Sequence, residues 1–68
     1  MKKEALELVR KLFHDLKWEI PHNNLEDIFS GAKSVAKIFA KQMAEETGKE
    51  EKWEMLRSEI DKITFNQI

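Results

Sequence analysis

Residues 25–47 read LEDIFSGAKSVAKIFAKQMAEET, which is the longest amphipathic stretch of this 68-residue chain. At about 100° per residue, its apolar residues fall within an arc of about 140°, as expected for a helix that packs through one side. These residues are Leu25, Ile28, Phe29, Ala32, Val35, Ala36, Phe39 and Met43. Asn24 precedes the stretch as a favourable N-cap, and Gly48 follows it as a residue that readily adopts the left-handed conformation ending a helix. The pattern predicts a long central helix.

One side of this predicted helix carries only small side chains. They belong to Gly31, Ala32, Ala36, Ala40 and Ala44. Gly31 lies in the helix interior, where glycine costs about 1 kcal/mol relative to alanine. Because small side chains allow two helix backbones to approach closely, we expect a close helix contact along this side.

A second helix is predicted upstream, over residues 3–19. Its apolar residues cover an arc of about 160°. Pro21 ends this helix because proline lacks a backbone N–H and disfavours helical geometry in the residue before it. The following residues, 21–24, form the predicted turn, and we expect His22 to lie in it.

A third helix is predicted over residues 50–63, with its apolar residues at spacings of 3, 4 and 3. They are Trp53, Leu56, Ile60 and Ile63. This seam is only about 80° wide, much narrower than the stripes of the first two helices. Residues 64–68 carry no stop signal, and they either continue the helix or fray.

The predicted fold is therefore all-α, a single domain over residues 1–68 that forms an antiparallel three-helix bundle. One narrow third helix cannot cover two wide faces, so we expect a second chain to complete the packing, most simply as a homodimer. A compact monomer and an obligate hetero-complex are the alternatives. The predicted core and dimer seam consists of Leu8, Leu12, Phe13, Leu16, Ile28, Phe29, Val35 and Phe39.

Composition narrows the classes of function. The chain has 12 basic and 13 acidic residues, whereas a dedicated nucleic-acid-binding domain is expected to be strongly basic. The absence of cysteine excludes disulfides and thiolate metal sites. Apolar runs of two or three residues fall far short of the roughly 20 that span a membrane, and residues 1–4 do not open a signal-peptide core. We therefore expect a cytoplasmic protein.

Four residues are candidates for contact with a partner protein: Trp18, Ile38, Met55 and His14. Trp18 projects opposite the apolar arc of the first helix. Either its ring folds over the end of the bundle, or it is an exposed anchor of the kind enriched in binding hot spots. His14 lies one turn before Trp18 and could stack on it, while Ile38 and Met55 lie outside the apolar stripes of their helices.

Lys33, Lys37 and Lys41 repeat every four residues on the polar side of the central helix. Such a stripe has three interpretations. The first is a helix face exposed to solvent. The second is a surface for an acidic protein, such as the third helix of a second copy, and the third is a site that neutralises the phosphates of nucleic acid or of an anionic membrane.

Catalytic chemistry is not indicated. The two histidines, His14 and His22, are not paired at metal-ligand spacing, and no histidine stands at helical spacing from Ser30 or Ser34 to activate it. We expect no enzymatic activity, metal or cofactor. The sequence favours a small protein–protein interaction or regulatory module acting through helix packing as a homodimer. A nucleic-acid or anionic-surface binder and a purely structural assembly subunit are the alternatives.

Overall fold

A computed structural model of the chain describes residues 2–20 and 24–68, and it contains three helices and no strand in these ranges. The helices are α1 over Lys2–Glu19, α2 over Leu25–Thr47 and α3 over Glu50–Lys62, followed by a short 3-10 helix over Phe65–Gln67. The predicted all-α, three-helix architecture is confirmed. Pro21 and His22, which belong to the predicted turn, lie outside the described residues.

Both ends of α2 are formed as the sequence predicts. The side-chain Oδ1 of Asn24 accepts a hydrogen bond of 2.7 Å from the backbone N–H of Glu26. At the other end, Gly48 adopts a φ of 71° and its N–H donates to the carbonyl oxygen of Ala44 at 3.1 Å. Glycine takes this left-handed conformation without a steric penalty because it has no Cβ.

α2 is the central helix, and most of its buried side is alanine. Ala32, Ala36, Ala40 and Ala44 follow one another at four-residue intervals and are all buried. A single methyl group per turn allows the neighbouring helices to approach closely. The remaining buried apolar residues are Ala5, Val9, Phe13, Ile28, Phe29, Leu56, Ile60 and Ile63. The core therefore combines a row of methyl groups on α2 with larger side chains, most of which come from α1, α3 and the first turns of α2.

The C-terminal tail completes one end of the bundle. α3 has 13 residues and α2 has 23, which correspond to about 20 Å and about 35 Å of helix. α3 therefore covers only part of the groove between α1 and α2. The Phe65 ring packs edge to face on Phe13 and Phe29, with centroid distances of 6.2 and 5.6 Å. The tail occupies the end of the groove that α3 does not reach.

Two further contacts hold this tail in place, and they correct the expectation that residues 64–68 continue the helix or fray. Arg10 Nη2 donates to the carbonyl oxygen of Gln67 at 2.8 Å. The side-chain Oε1 of Gln67 accepts from the backbone N–H of Thr64 at 2.7 Å, which stabilises the tight turn. α3 itself ends at Lys62, so Ile63 is its C-cap and not its last turn.

The predicted core and dimer seam separates into three groups. Phe13, Ile28 and Phe29 are buried, whereas Leu8, Leu12 and Leu16 are half-buried against the core. Val35 and Phe39 are 43% and 42% exposed, so the single chain does not bury them. The reason is that the alanine side of α2 faces the core, which turns these two larger side chains outward.

The molecule is elongated, with extents of 38 × 21 × 14 Å. The accessible surface is 4990 Å², whereas an average compact monomer of 8.1 kDa exposes about 4,500 Å². The radius of gyration is 12.0 Å, compared with about 11 Å for an average compact chain of 68 residues. Both quantities are about one tenth above the average, as expected for an elongated helical bundle.

Close packing along the alanine row predicts that a larger side chain there is not tolerated. We expect Ala36→Leu to lower the free energy of unfolding by about 1–3 kcal/mol, because the side chain would force α2 away from its neighbours. Ser30→Leu, on the exposed side of the same helix, is the matched control and should change it by less than about 0.5 kcal/mol. Urea denaturation followed by circular dichroism measures both; equal effects would contradict the close packing.

Candidate interaction surfaces

α3 and the tail lie on one side of the α1–α2 pair, and three basic residues mark that side. Lys33 Nζ donates to the carbonyl oxygens of Asp61 and Ile63 at 3.1 and 2.9 Å. Lys37 Nζ lies 2.7 Å from Asp61 Oδ1. On α1, Arg10 reaches the tail through the hydrogen bond described above.

The opposite side of the α1–α2 pair carries apolar residues that α3 touches only at one end. Two residues turn an α-helix by about 200°, so the neighbours two positions before and after each basic residue lie on the other side of its helix. These neighbours are Leu8 and Leu12 around Arg10, and Val35 and Phe39 around Lys37. All four are exposed or half-buried. We call Leu8, Leu12, Val35 and Phe39 the open face.

One contact from α3 touches the end of the open face. The ring of Trp53 meets that of Phe39 edge to face, with a centroid distance of 6.1 Å. Its indole Nε1 donates to Thr47 Oγ1 at 3.1 Å, which fixes the ring beside the end of α2. Phe39 nevertheless remains substantially exposed, so Trp53 only borders the open face.

Trp18 lies on a second surface, at the end of α1. Its side chain is 86% exposed, which decides between the two sequence-based interpretations: the ring does not fold over the end of the bundle. Together with His14, Lys17 and Leu25 it lines a shallow cleft of about 320 Å³. The His14 ring contacts Phe13 edge to face at 5.9 Å, and no stacking on Trp18 is seen among the described ring contacts.

Leu25 is the residue of this cleft that the sequence interpretation missed. It falls within the apolar arc of α2 but is predicted neither as a core residue nor as a contact residue, and it is 44% exposed. Its position in the first turn of α2, directly after the N-cap Asn24, is the signal that could have indicated exposure.

Ile38 and Met55 lie on further, separate surfaces. Ile38 is 57% exposed and lines a cleft of about 300 Å³ with Ser34, Lys37, Lys41 and Arg57. Met55 is 54% exposed beside the α2–α3 turn, about 160° around α3 from Arg57. The structure therefore brings His14 and Trp18 together but does not join them with Ile38 or Met55 in one site.

The end of α3 contacts two of the three lysines of the stripe. Lys33 and Lys37 bind the C-terminal end of α3, where cations are favoured by free carbonyl groups and by the helix dipole. Of the three lysines, only Lys41 has no hydrogen bond or ion pair to the described residues. The acidic residue that meets Lys33 and Lys37 is Asp61 of the same chain, so these two lysines need no second copy to supply it.

Two features are absent from the described part of the chain: a cluster of possible metal ligands and a buried polar or charged residue. Within residues 2–20 and 24–68, no three histidine, aspartate or glutamate side chains are grouped to hold a metal ion. No polar or charged residue in these ranges is buried. None of the described helices combines the length and the hydrophobicity required to cross a membrane.

The exposure of Trp18 predicts that its ring contributes little to folding. We expect Trp18→Ala to change the free energy of unfolding by less than about 0.5 kcal/mol. Trp53→Ala is the matched control, because Trp53 packs against the core, and it should cost about 2 kcal/mol or more. Chemical denaturation of both variants tests this; a large loss for Trp18→Ala would show that its ring is part of the core.

The hydrogen bond from Lys37 lowers the pKa of Asp61 below its ordinary value of 3.8, and the charges of Lys33 and Arg57 add to the effect. A depressed carboxyl pKa stabilises the fold above that ordinary value, and the contribution is lost as the pH falls through the lower, folded-state pKa. We expect Lys37→Met to raise the pKa of Asp61 toward its ordinary value, as measured by NMR titration. An unchanged pKa would show that the ion pair does not form in solution.

No protein-family model matches this chain, and no curated protein or solved structure is significantly similar to it. The surfaces described above are therefore the basis on which a function can be proposed.

Proposed function

We propose that this chain is a small, non-enzymatic protein–protein interaction module that acts through helix packing, as a homodimer joined at the open face. The exposure of Val35 and Phe39 carries this proposal. Both are large apolar residues on the longest helix, and helix geometry places them on the same side of the α1–α2 pair as the half-buried Leu8 and Leu12. Exposed apolar residues grouped on one side of a small protein are expected at sites of association.

The small core gives a physical reason for association. Short chains bury little apolar surface and commonly gain stability from a second subunit. Here the surface exceeds that of a compact monomer by about 500 Å², and a standard interface covers about 800 Å² per partner. Each Å² of apolar surface removed from water contributes about 25 cal/mol, so covering the open face is favourable.

A second copy is the simplest partner for this face. Symmetric homodimers are the most common assembly of soluble chains, and their interface uses the same surface on both copies. Two α1–α2 pairs joined through their open faces would form a four-helix arrangement, with α3 of each copy on the outside. Leu8, Leu12, Val35 and Phe39 of both copies would then form its interior.

Such a dimer would still present surfaces to another protein. Trp18 and its cleft lie on a side of α1 other than the open face, so each copy would keep one exposed tryptophan for a further partner. The nucleic-acid alternative receives less support, since α3 already engages Lys33 and Lys37.

Analytical ultracentrifugation over a dilution series tests the dimer. We expect the unmodified chain to sediment as a dimer at high micromolar concentration and to dissociate on dilution. Val35→Lys should give a monomer at every concentration without loss of helicity, because a lysine in the interface would have to be desolvated without a partner. Ser58→Lys, on the exposed surface of α3, should leave the dimer intact. A strictly monomeric unmodified chain at high micromolar concentration would contradict the proposal.

A further inference from the structure

Gly31 lies in the interior of α2, although the single chain does not require a glycine there. A Cβ added at this position would meet only Leu16 Cδ1, at 3.8 Å, which is an ordinary contact. The backbone has no positive φ at this residue. Glycine weakens a helix interior relative to alanine, so its presence here has no benefit that the monomer explains.

Gly31 belongs to a seam along α2. The seam consists of Gly31, Val35, Ile38 and Gln42, at spacings of 4, 3 and 4, and all four are exposed or half-buried. This spacing is typical of a helix that pairs lengthwise with another helix. Through Val35 the seam adjoins the open face, so a helix packed along it would also help to cover that face.

Charges on one flank of the seam indicate how a second α2 would be oriented. Asp27 and Lys41 are two heptads apart and about 40° apart around the helix, and both are exposed. Neither forms a hydrogen bond or an ion pair with the described residues. When two copies of one helix pair in antiparallel orientation about a two-fold axis, each flank faces the same flank of the other copy. Asp27 would then face Lys41 of the second copy, and Lys41 would face its Asp27.

We propose that α2 packs antiparallel on α2 of a second copy, with Ile38 of each copy seated over Gly31 of the other. This inference rests on the proposed homodimer and specifies which helices meet. In an antiparallel pair, the two-fold axis passes the midpoint between any two residues that face each other across it. The midpoint of Gly31 and Ile38 lies between residues 34 and 35, and the midpoint of Asp27 and Lys41 is residue 34. Both pairs therefore place the two-fold axis next to Val35, so apolar fit and charge select the same arrangement.

A charge-swap experiment tests the orientation. Asp27→Lys and Lys41→Asp should each weaken the dimer by about 5- to 30-fold, because each creates two like-charge contacts across the interface. Mixing the two variants should restore near-original affinity in the heterodimer, and so should the double variant. Sedimentation equilibrium in low salt measures all four, and the differences should shrink in high salt.

Glu26→Lys combined with Lys41→Asp is the matched control. Glu26 lies in the same first turn as Asp27, so its replacement disturbs the helix terminus in the same way. Glu26 lies about 100° around the helix from Asp27, so a lysine at position 26 does not face residue 41 of the second copy. The control double variant should therefore not restore the dimer. If the unmodified chain dimerises but the Asp27 swap restores no more than the control, the antiparallel α2 pair is wrong while the homodimer stands. If the unmodified chain is monomeric, both proposals are wrong.

Gly31→Ala tests the contact between Gly31 and Ile38 of the second copy, because it should stabilise the monomer and weaken the dimer. In the monomeric Val35→Lys background it should raise Tm by about 4–8 °C, since alanine favours the helix and the methyl group has room. In the otherwise unmodified chain it should weaken the dimer at least about fivefold, because the methyl group would meet Ile38 of the second copy. A dimer of unchanged affinity would show that no helix approaches Gly31.

Discussion

The close approach of α2 to its neighbours is the constraint on which the rest of the structure depends. Beyond the first two turns of α2, every buried residue described on this helix is an alanine. A row of methyl groups allows the neighbouring helices and their larger side chains to pack close to the α2 backbone. The bulky apolar residues of the same helix therefore lie elsewhere, at Val35, Ile38 and Phe39. Because the alanine row of α2 faces the core, these larger apolar residues of the helix are exposed.

The position of α3 determines which of those exterior residues stay uncovered. Lys33 and Lys37 bind the C-terminal end of α3, so α3 lies on their side of α2, and Arg10 holds the tail on the same side of α1. Because α3 is short, the Phe65 turn fills the remaining end of that groove. The contacts that complete one side of the bundle consequently leave most of the opposite side, the open face, uncovered, with Trp53 in contact only with Phe39 at its end.

Much of this fold could be predicted from the sequence, because its signals are local. Asn24 and Gly48 mark the limits of α2. The unequal stripe widths predict a face that one narrow third helix cannot cover. The side of α2 that faces the core could not be predicted. Val35 and Ala36 both belong to the apolar arc, although their side chains point about 100° apart. The roles of Lys33 and Lys37 depend on a helix nearly 30 residues away. The exposure of Trp18 also remained open, because a wheel does not show where a helix ends.

The central claim is that two copies of the chain associate and bury apolar residues that remain exposed in a single copy. Backbone NMR spectra recorded over a dilution series test that claim most directly, because they locate every residue whose surroundings change with concentration. The predicted result is that the amide signals of residues 8–12 and 27–42 shift with dilution while those of residues 57–62, away from the Trp53 contact with Phe39, remain in place. Signals that do not shift with concentration, or shifts confined to the surroundings of Trp18, would contradict the account.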